Sequence, residues 1–309
     1  MHDKHKGFHL IEIIIAIAVI GLIGFIAYMF VNNAAKDNSS LTVKTSDGGT
    51  KQAVRWEYNE KSLEWFAKSG TPPACDDPYK FAVTPLDMSK VMVTGLPGAY
   101  RGFSYKPHGG FRLYENSNGE AEIKLPTDAT LVGLTRYYEA TPGNSAELQY
   151  LLTFETDCGI AFRFDHLHTL TPKFQAIANT TPEPKLNDTR TNPNDAPEPV
   201  AFKAGEIVAT KVGFMKSRNY GFDFGVYDYR ERNEISKNTK WAEIHQQYSS
   251  LDYHGVCWFN MLPGGDAAKS TQLSEITINP QRPNLVISDY CSNAKYSTLD
   301  FNNGQPIDG

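Results

Sequence analysis

Hydrophobic positions are spread very unevenly along this chain. From Phe8 to Val31 the sequence reads FHLIEIIIAIAVIGLIGFIAYMFV, apolar on every helical face and interrupted by one acid, Glu12. At ~1.5 Å per residue this segment makes a helix about 36 Å long, enough to cross a bilayer core of ~30 Å. Apolarity all round suits a helix solvated by lipid or by identical neighbours. Lys4 and Lys6 precede the segment, and neutral to acidic sequence follows it. The positive-inside rule then predicts a single pass through the cytoplasmic membrane, with the C-terminal body outside.

After Val31 the pattern changes. Asn32 to Ser40 reads as a fading helix, so the apolar helix is expected over 8–38 and a flexible linker over 39–50, including Thr45-Ser46-Asp47-Gly48-Gly49-Thr50. Lys51 to Ser69 is expected to resume as a helix carrying Val54, Trp56, Leu63, Trp65 and Phe66. Short runs with strand character follow, punctuated by Gly, Pro and Asn: Phe81-Ala82-Val83, Lys90–Thr94, Phe111–Tyr114, Ala121–Leu125 and Leu131–Tyr138. Leu148–Phe154, Gly159–Leu170, Val200–Val212 and Phe222–Tyr229 continue the series. Residues 179–199 contain almost no apolar side chains and are expected as a surface excursion. In the last segment, 230–309, a short helix is expected over Trp241–Tyr248 and strands over Tyr253–Phe259, Ser274–Asn279 and Asn284–Asp289, with a disordered tail. The domain plan is therefore 1–7 as leader, 8–38 as helix, 39–50 as linker, 51–104 as helix plus short strands, 105–229 as a β-rich domain and 230–309 as a cysteine-containing segment.

Composition sharpens this picture in two respects. A net charge of −5 gives no electrostatic reason to expect nucleic acid as a partner. The four cysteines, Cys75, Cys158, Cys257 and Cys291, contain no CxxC pair and permit three pairings. Cys257–Cys291 closes the shortest loop and is the favoured bridge, with Cys75–Cys158 as the candidate second. Glu12 stands out for a different reason: an ionisable group inside an apolar helix is expensive unless paired, so it signals function.

Lys6-Gly7-Phe8-His9-Leu10-Ile11-Glu12 followed by Ile13-Ile14-Ile15 resembles the processing motif of type IV prepilins and type II secretion pseudopilins. The resemblance implies cleavage between Gly7 and Phe8 by a prepilin peptidase, N-methylation of Phe8, and assembly through pairing of Glu12 with a neighbouring subunit's N-terminal ammonium. His9 departs from the small hydroxyl residue usual there, and no proline interrupts the apolar helix.

A second resemblance covers residues 105–229. Pro107-His108-Gly109-Gly110-Phe111, the stretch Gly159 to His168, Val200 to Ala209 and Gly221-Phe222-Asp223-Phe224-Gly225-Val226 are similar in order and spacing to the β-rich core of lysostaphin-type zinc metallopeptidases, which cut peptidoglycan cross-bridges. The turn Lys203-Ala204-Gly205-Glu206-Ile207 also resembles hairpins of the barrel-sandwich hybrid group. By that resemblance His108 would be the first zinc ligand and His166 a further active-site histidine. Arg112, however, stands where an Asp ligand is required, and the HxH pair falls on Gly221 and Asp223. A guanidinium cannot ligate zinc. His108, His166, His168 and Asp223 are thus metal candidates only, and no catalytic residue, metal or other cofactor is expected.

The combined expectation is an α+β chain: a long N-terminal apolar helix and a β-rich exported domain, with a barrel-sandwich-like core as an option. Its function would be that of a minor or large pilin-like subunit, placed in a cell-surface filament after assembly. The expected partners are prepilin peptidase, other pilin-like subunits, the membrane and, in the alternative reading of a wall-binding or wall-hydrolysing protein, peptidoglycan.

Overall fold

The computed structural model describes residues 41–75, 77–101, 104–185, 197–274 and 288–291. The expectations for Gly7, Phe8, Glu12 and the apolar segment fall outside these residues, as do the strand expected over Ser274–Asn279 beyond its first residue and the tail. Within the described residues the α+β expectation is corrected. The fold is β-rich, its longest α-helices have seven residues, and none is long and apolar enough to cross a membrane. The single-pass placement with the body outside and on a surface filament is corrected with it, because no described helix supplies the span.

The first four strands are β1 (Leu41–Thr45), β2 (Thr50–Ala53), β3 (Arg55–Asn59) and β4 (Glu64–Ser69). They overturn two expectations. The described part of the linker assigned to 39–50, residues 41–50, is strand β1, a turn at Ser46–Gly49 with Gly48 at φ +93°, and the start of β2. The helix assigned to Lys51–Ser69 is mostly strand. Its irregular helical stripe is a period-two pattern: Trp56 and Tyr58 alternate on β3, with Val54 in phase just before it, and Ala67 and Trp65 answer them across the β3–β4 register. Trp65 stacks on Tyr229 at 3.7 Å between centroids and donates from Nε1 to the Ser250 carbonyl at 2.9 Å. Tertiary packing on that ring, rather than local helix propensity, decides the segment.

Next come β5 (Val91–Gly95), the short hairpin β6 (Ala99–Arg101) and β7 (Ser104–Lys106), β8 (Gly109–Leu113) and β9 (Glu120–Lys124). Two long strands and their neighbour, β10 (Ala129–Glu139), β11 (Glu147–Glu155) and β12 (Ile160–Leu170), form antiparallel pairs. Helix α1 (Pro172–Ala178), with Pro172 opening its first turn, precedes β13 (Val200–Phe202), β14 (Ile207–Val212) and β15 (Gly221–Asp228). The sheet runs β2-β1-β13-β10-β11-β12-β15-β8-β5, with β14 bridging β12 to β9. This single branched sheet takes the place of the barrel-sandwich-like core. Helices α2 (Thr239–His245) and α3 (Ser249–Asp252) pack together around Trp241 and Tyr253, and α4 (Asp266–Gln272) packs on the main core beside Met88–Lys90. Tyr253–Phe259, expected as a strand, is a turn with one isolated bridge at Gly255, and Phe81-Ala82-Val83 is irregular.

Alternation along β12 builds two faces. Phe162 and Phe164 point into the main core, with Phe154, Phe222 and Phe224 around them. Ala161, Arg163 and Asp165 occupy the opposite face. Both bridges form: Cys257–Cys291 with Cα atoms 4.8 Å apart, and Cys75–Cys158 at 6.0 Å. The former fixes residues 288–291 beside the helical end, where Asp289 accepts from Trp241 Nε1 at 2.8 Å and Tyr290 donates to the Asp252 carbonyl at 2.8 Å.

Glu155 ends β11 beneath the β3–β4 hairpin, 4% exposed, with Arg55 Nη1 3.5 Å away. Burial pushes its carboxyl from an ordinary 4.5 up to about 7, against the opposing pull of Arg55. An acid whose folded value is raised stabilises the fold fully below its unfolded value. That contribution is lost as pH rises from 4.5 to about 7. The loss is about 3 kcal/mol at 1.36 kcal/mol per unit. Chemical denaturation of the wild type and Glu155→Gln at pH 5 and pH 8 is expected to show this difference in slope; parallel profiles would refute the buried-carboxyl account.

Candidate functional site

The polar face of the sheet gathers charges where β8, β15 and β12 run side by side. Register places Asp223 opposite Gly110 on one side and opposite Asp165 on the other. His108 precedes β8 and reaches the same face. Its Nδ1 lies 3.1 Å from the Gly109 carbonyl and 3.4 Å from Asp223 Oδ2. Both are acceptors, so Nδ1 carries the proton and donates. Glycine keeps this face open: a Cβ on Gly110 would stand 2.6 Å from the Phe222 carbonyl oxygen across the β8–β15 pair, and one on Gly225 would collide with the Tyr227 hydroxyl two residues along the same strand.

His166 sits at a bulge. Pairing of β12 with β15 stops at Asp165, and pairing with β14 begins at Leu167. Between them His166 adopts φ +61°, a left-handed conformation that a non-glycine residue takes at a cost of ~1–3 kcal/mol. The bulge breaks strict alternation, so the consecutive side chains Asp165 and His166 both turn toward Asp223. His166 Nε2 lies 3.6 Å from Asp223 Oδ2, while Nδ1 lies 3.5 Å from Glu139 Oε2 and 3.3 Å from the Tyr137 hydroxyl. Asp165 is fully buried; it accepts from the Tyr137 hydroxyl and from the His166 amide at 2.8 Å, and Arg163 Nη2 is 3.4 Å away. Burial opposes the charge of Arg163, but Tyr227, Asp165, Asp223 and Tyr137 more than offset it and hold its pKa above the ordinary value. Burial pushes the Tyr227 phenol up to about 12, with Arg163 pulling the other way.

A cleft of about 430 Å³ opens beside these groups, lined among others by His166, Phe214, Asp223 and Arg112. Arg112 donates to the Asn219 side chain and stands at the cleft's rim. Of the four metal candidates, His108, His166 and Asp223 come together. His168 does not join them: it faces Glu147, 3.9 Å away, and Thr169, and its half-burial pulls its pKa down. Sequence reasoning missed Asp165, Arg163, Tyr137, Glu139 and Tyr227. The available signal was the alternation of Arg163 and Asp165 with phenylalanines, which marks a charged face on a strand whose other face is core.

The site is thus a carboxylate–imidazole cluster on the polar face of a β-sheet, a class of arrangement that binds cations or hydrogen-bonding ligands. No family model matches the chain, and neither does any curated protein or solved structure.

Proposed function

We propose that this protein is a filament subunit of the type IV pilin class, whose β-rich body carries a ligand-binding cleft. The observation that carries the first part is the run Lys6 to Ile15, where a Gly7-Phe8 junction resembling a prepilin cleavage site is followed by a lone Glu12 in otherwise apolar sequence. A carboxylate there is stabilised only by a partner charge, and the ammonium freed by cleavage at Phe8 of a neighbouring subunit provides one. The test is processing: co-expression with an active prepilin peptidase should yield a chain that begins at methylated Phe8. Substituting Gly7 should abolish cleavage.

A second reading concerns the body. It binds cell-wall peptide or glycan without cleaving it. What favours this is that His166 and Asp223 line one cleft, with His108 buried behind Asp223, in the positions the metallopeptidase resemblance implies, while Arg112 takes the place of a needed ligand. Purified full chain should co-sediment with insoluble peptidoglycan, and Asp223→Asn should weaken that binding. Sedimentation that is absent, or indifferent to the substitution, removes the reading.

A further inference from the structure

We propose that residues 41–74 dock on the main body as one reversible unit that opens while the core stays folded, and that the Cys75–Cys158 bridge leashes this unit to its docking turn. The opening does not depend on the filament reading. Core membership, the placing of the contacts and the position of the bridge each point to it.

Strands β1 to β4 place no side chain in the main hydrophobic core, whose first contributor along the chain is Phe81. Val43 and Ala53 pack with Ala201 in one small cluster, and Val54, Trp56 and Trp65 pack with Ala161, Tyr227 and Tyr229 in another. The β3–β4 hairpin forms its own two-stranded sheet, separate from the main one. Among the described residues, ladder pairing of this unit with the body is confined to Lys44 and Thr45 of β1, opposite Val200 and Ala201 of β13. Segments that share so little of the core open separately from it.

The contacts converge on one turn, Glu155 to Gly159, which joins β11 to β12. Asp157 accepts from the Val54 amide at 3.1 Å and from Lys51 Nζ at 2.7 Å, which pins the joint between β2 and β3. Arg55 Nη1 lies 3.5 Å from Glu155. Gly159, at φ +92°, leaves the space that Trp56 fills, since a Cβ there would stand 2.7 Å from the indole ring. Both hairpins leave from that joint, so letting go of the turn releases them together.

Cys158 lies in the same turn and is bonded to Cys75, the residue that follows the unit. An opened unit therefore stays beside its docking turn, and its return is an intramolecular step at high effective concentration. The bridge also hands any pull from the N-terminal side to the β11–β12 turn before it reaches Phe81. On the filament reading such a pull enters at Leu41, and the opened unit spans up to about 115 Å at ~3.4 Å per residue.

The test is native-state hydrogen exchange of the full chain in detergent, read by mass spectrometry at rising urea below the unfolding midpoint. Amides of β1 to β4 should exchange through one opening, about tenfold or more faster than those of β11 and β12, and with a weaker urea dependence. Trp65→Ala removes the stack on Tyr229. It should speed exchange in β1 to β4 alike, by about tenfold, and leave β11 and β12 unchanged. Asp157→Ala should speed β1 to β4 likewise. Two results would overturn the proposal: β1 to β4 exchanging with the rate and urea dependence of β11 and β12, or Trp65→Ala speeding β3 and β4 alone.

Discussion

Phe164→Ala is expected to lower the unfolding free energy by about 3–5 kcal/mol, the largest effect of any single substitution considered. Phe164 is fully buried, and its ring stacks on Phe224 at 5.3 Å, with Phe154, Phe162 and Phe222 within 6.1 Å. These neighbours sit on strands held by sheet hydrogen bonds, so they cannot close over the cavity without breaking register. The loss therefore includes the cavity term as well as the transfer term. Urea denaturation should show a lower midpoint with an unchanged slope. Phe66→Ala on the exposed side of the β3–β4 hairpin serves as the control, since Phe66 is already 44% exposed. A Phe164→Ala loss no larger than the control would mean the aromatic cluster is not the core of the fold.

The second large effect belongs to the Cys75–Cys158 bridge. It joins residues 83 apart and ties the segment after β4 to the turn between β11 and β12. Opening a loop of that size restores unfolded-state entropy worth about 4.5 kcal/mol in the chain-entropy model. The Cys257–Cys291 loop, 34 residues apart, gives about 3.8 kcal/mol on the same reasoning. The Cys75→Ala/Cys158→Ala double variant should therefore lose more stability than Cys257→Ala/Cys291→Ala. The reverse order would mean that native packing of residues 288–291, rather than loop entropy, sets the contribution. Among those contacts, Trp241 to Asp289 is the strongest candidate.

β5 and the strands from β8 to β15 were legible as short apolar runs set off by Gly, Pro and Asn, although β10, β11 and β15 are too uniformly buried to alternate. Val200–Val212 read as one run, yet the Lys203–Gly205 turn splits it into β13 and β14. The β3–β4 hairpin was not legible. Val54, Trp56, Trp65 and Phe66 fit a loose helical stripe, and only the Tyr229 ring beneath them selects strands. Within the candidate site, His108, His166 and Asp223 could be picked out by resemblance to a known spacing. Asp165 could not, since its role depends on standing opposite Asp223 in the β12–β15 register. Nor could the bulge at His166, which arises where β12 leaves β15 for β14 and has no local sequence signal. His168 failed as a candidate for the same reason: past the bulge, alternation restarts and carries its ring toward Glu147.

The charged face also accounts for the glycines around it. A side chain on Gly110 would run into the Phe222 carbonyl oxygen of the neighbouring strand, and one on Gly225 would displace the Tyr227 ring and crowd His108.

The proposed filament role rests on the sequence at the N-terminus, so the most direct measurement is the intact mass and N-terminal sequence of the protein recovered from cells with and without an active prepilin peptidase. The account predicts a chain starting at methylated Phe8 only when the peptidase is active. A chain that keeps Met1 in both cells would contradict it.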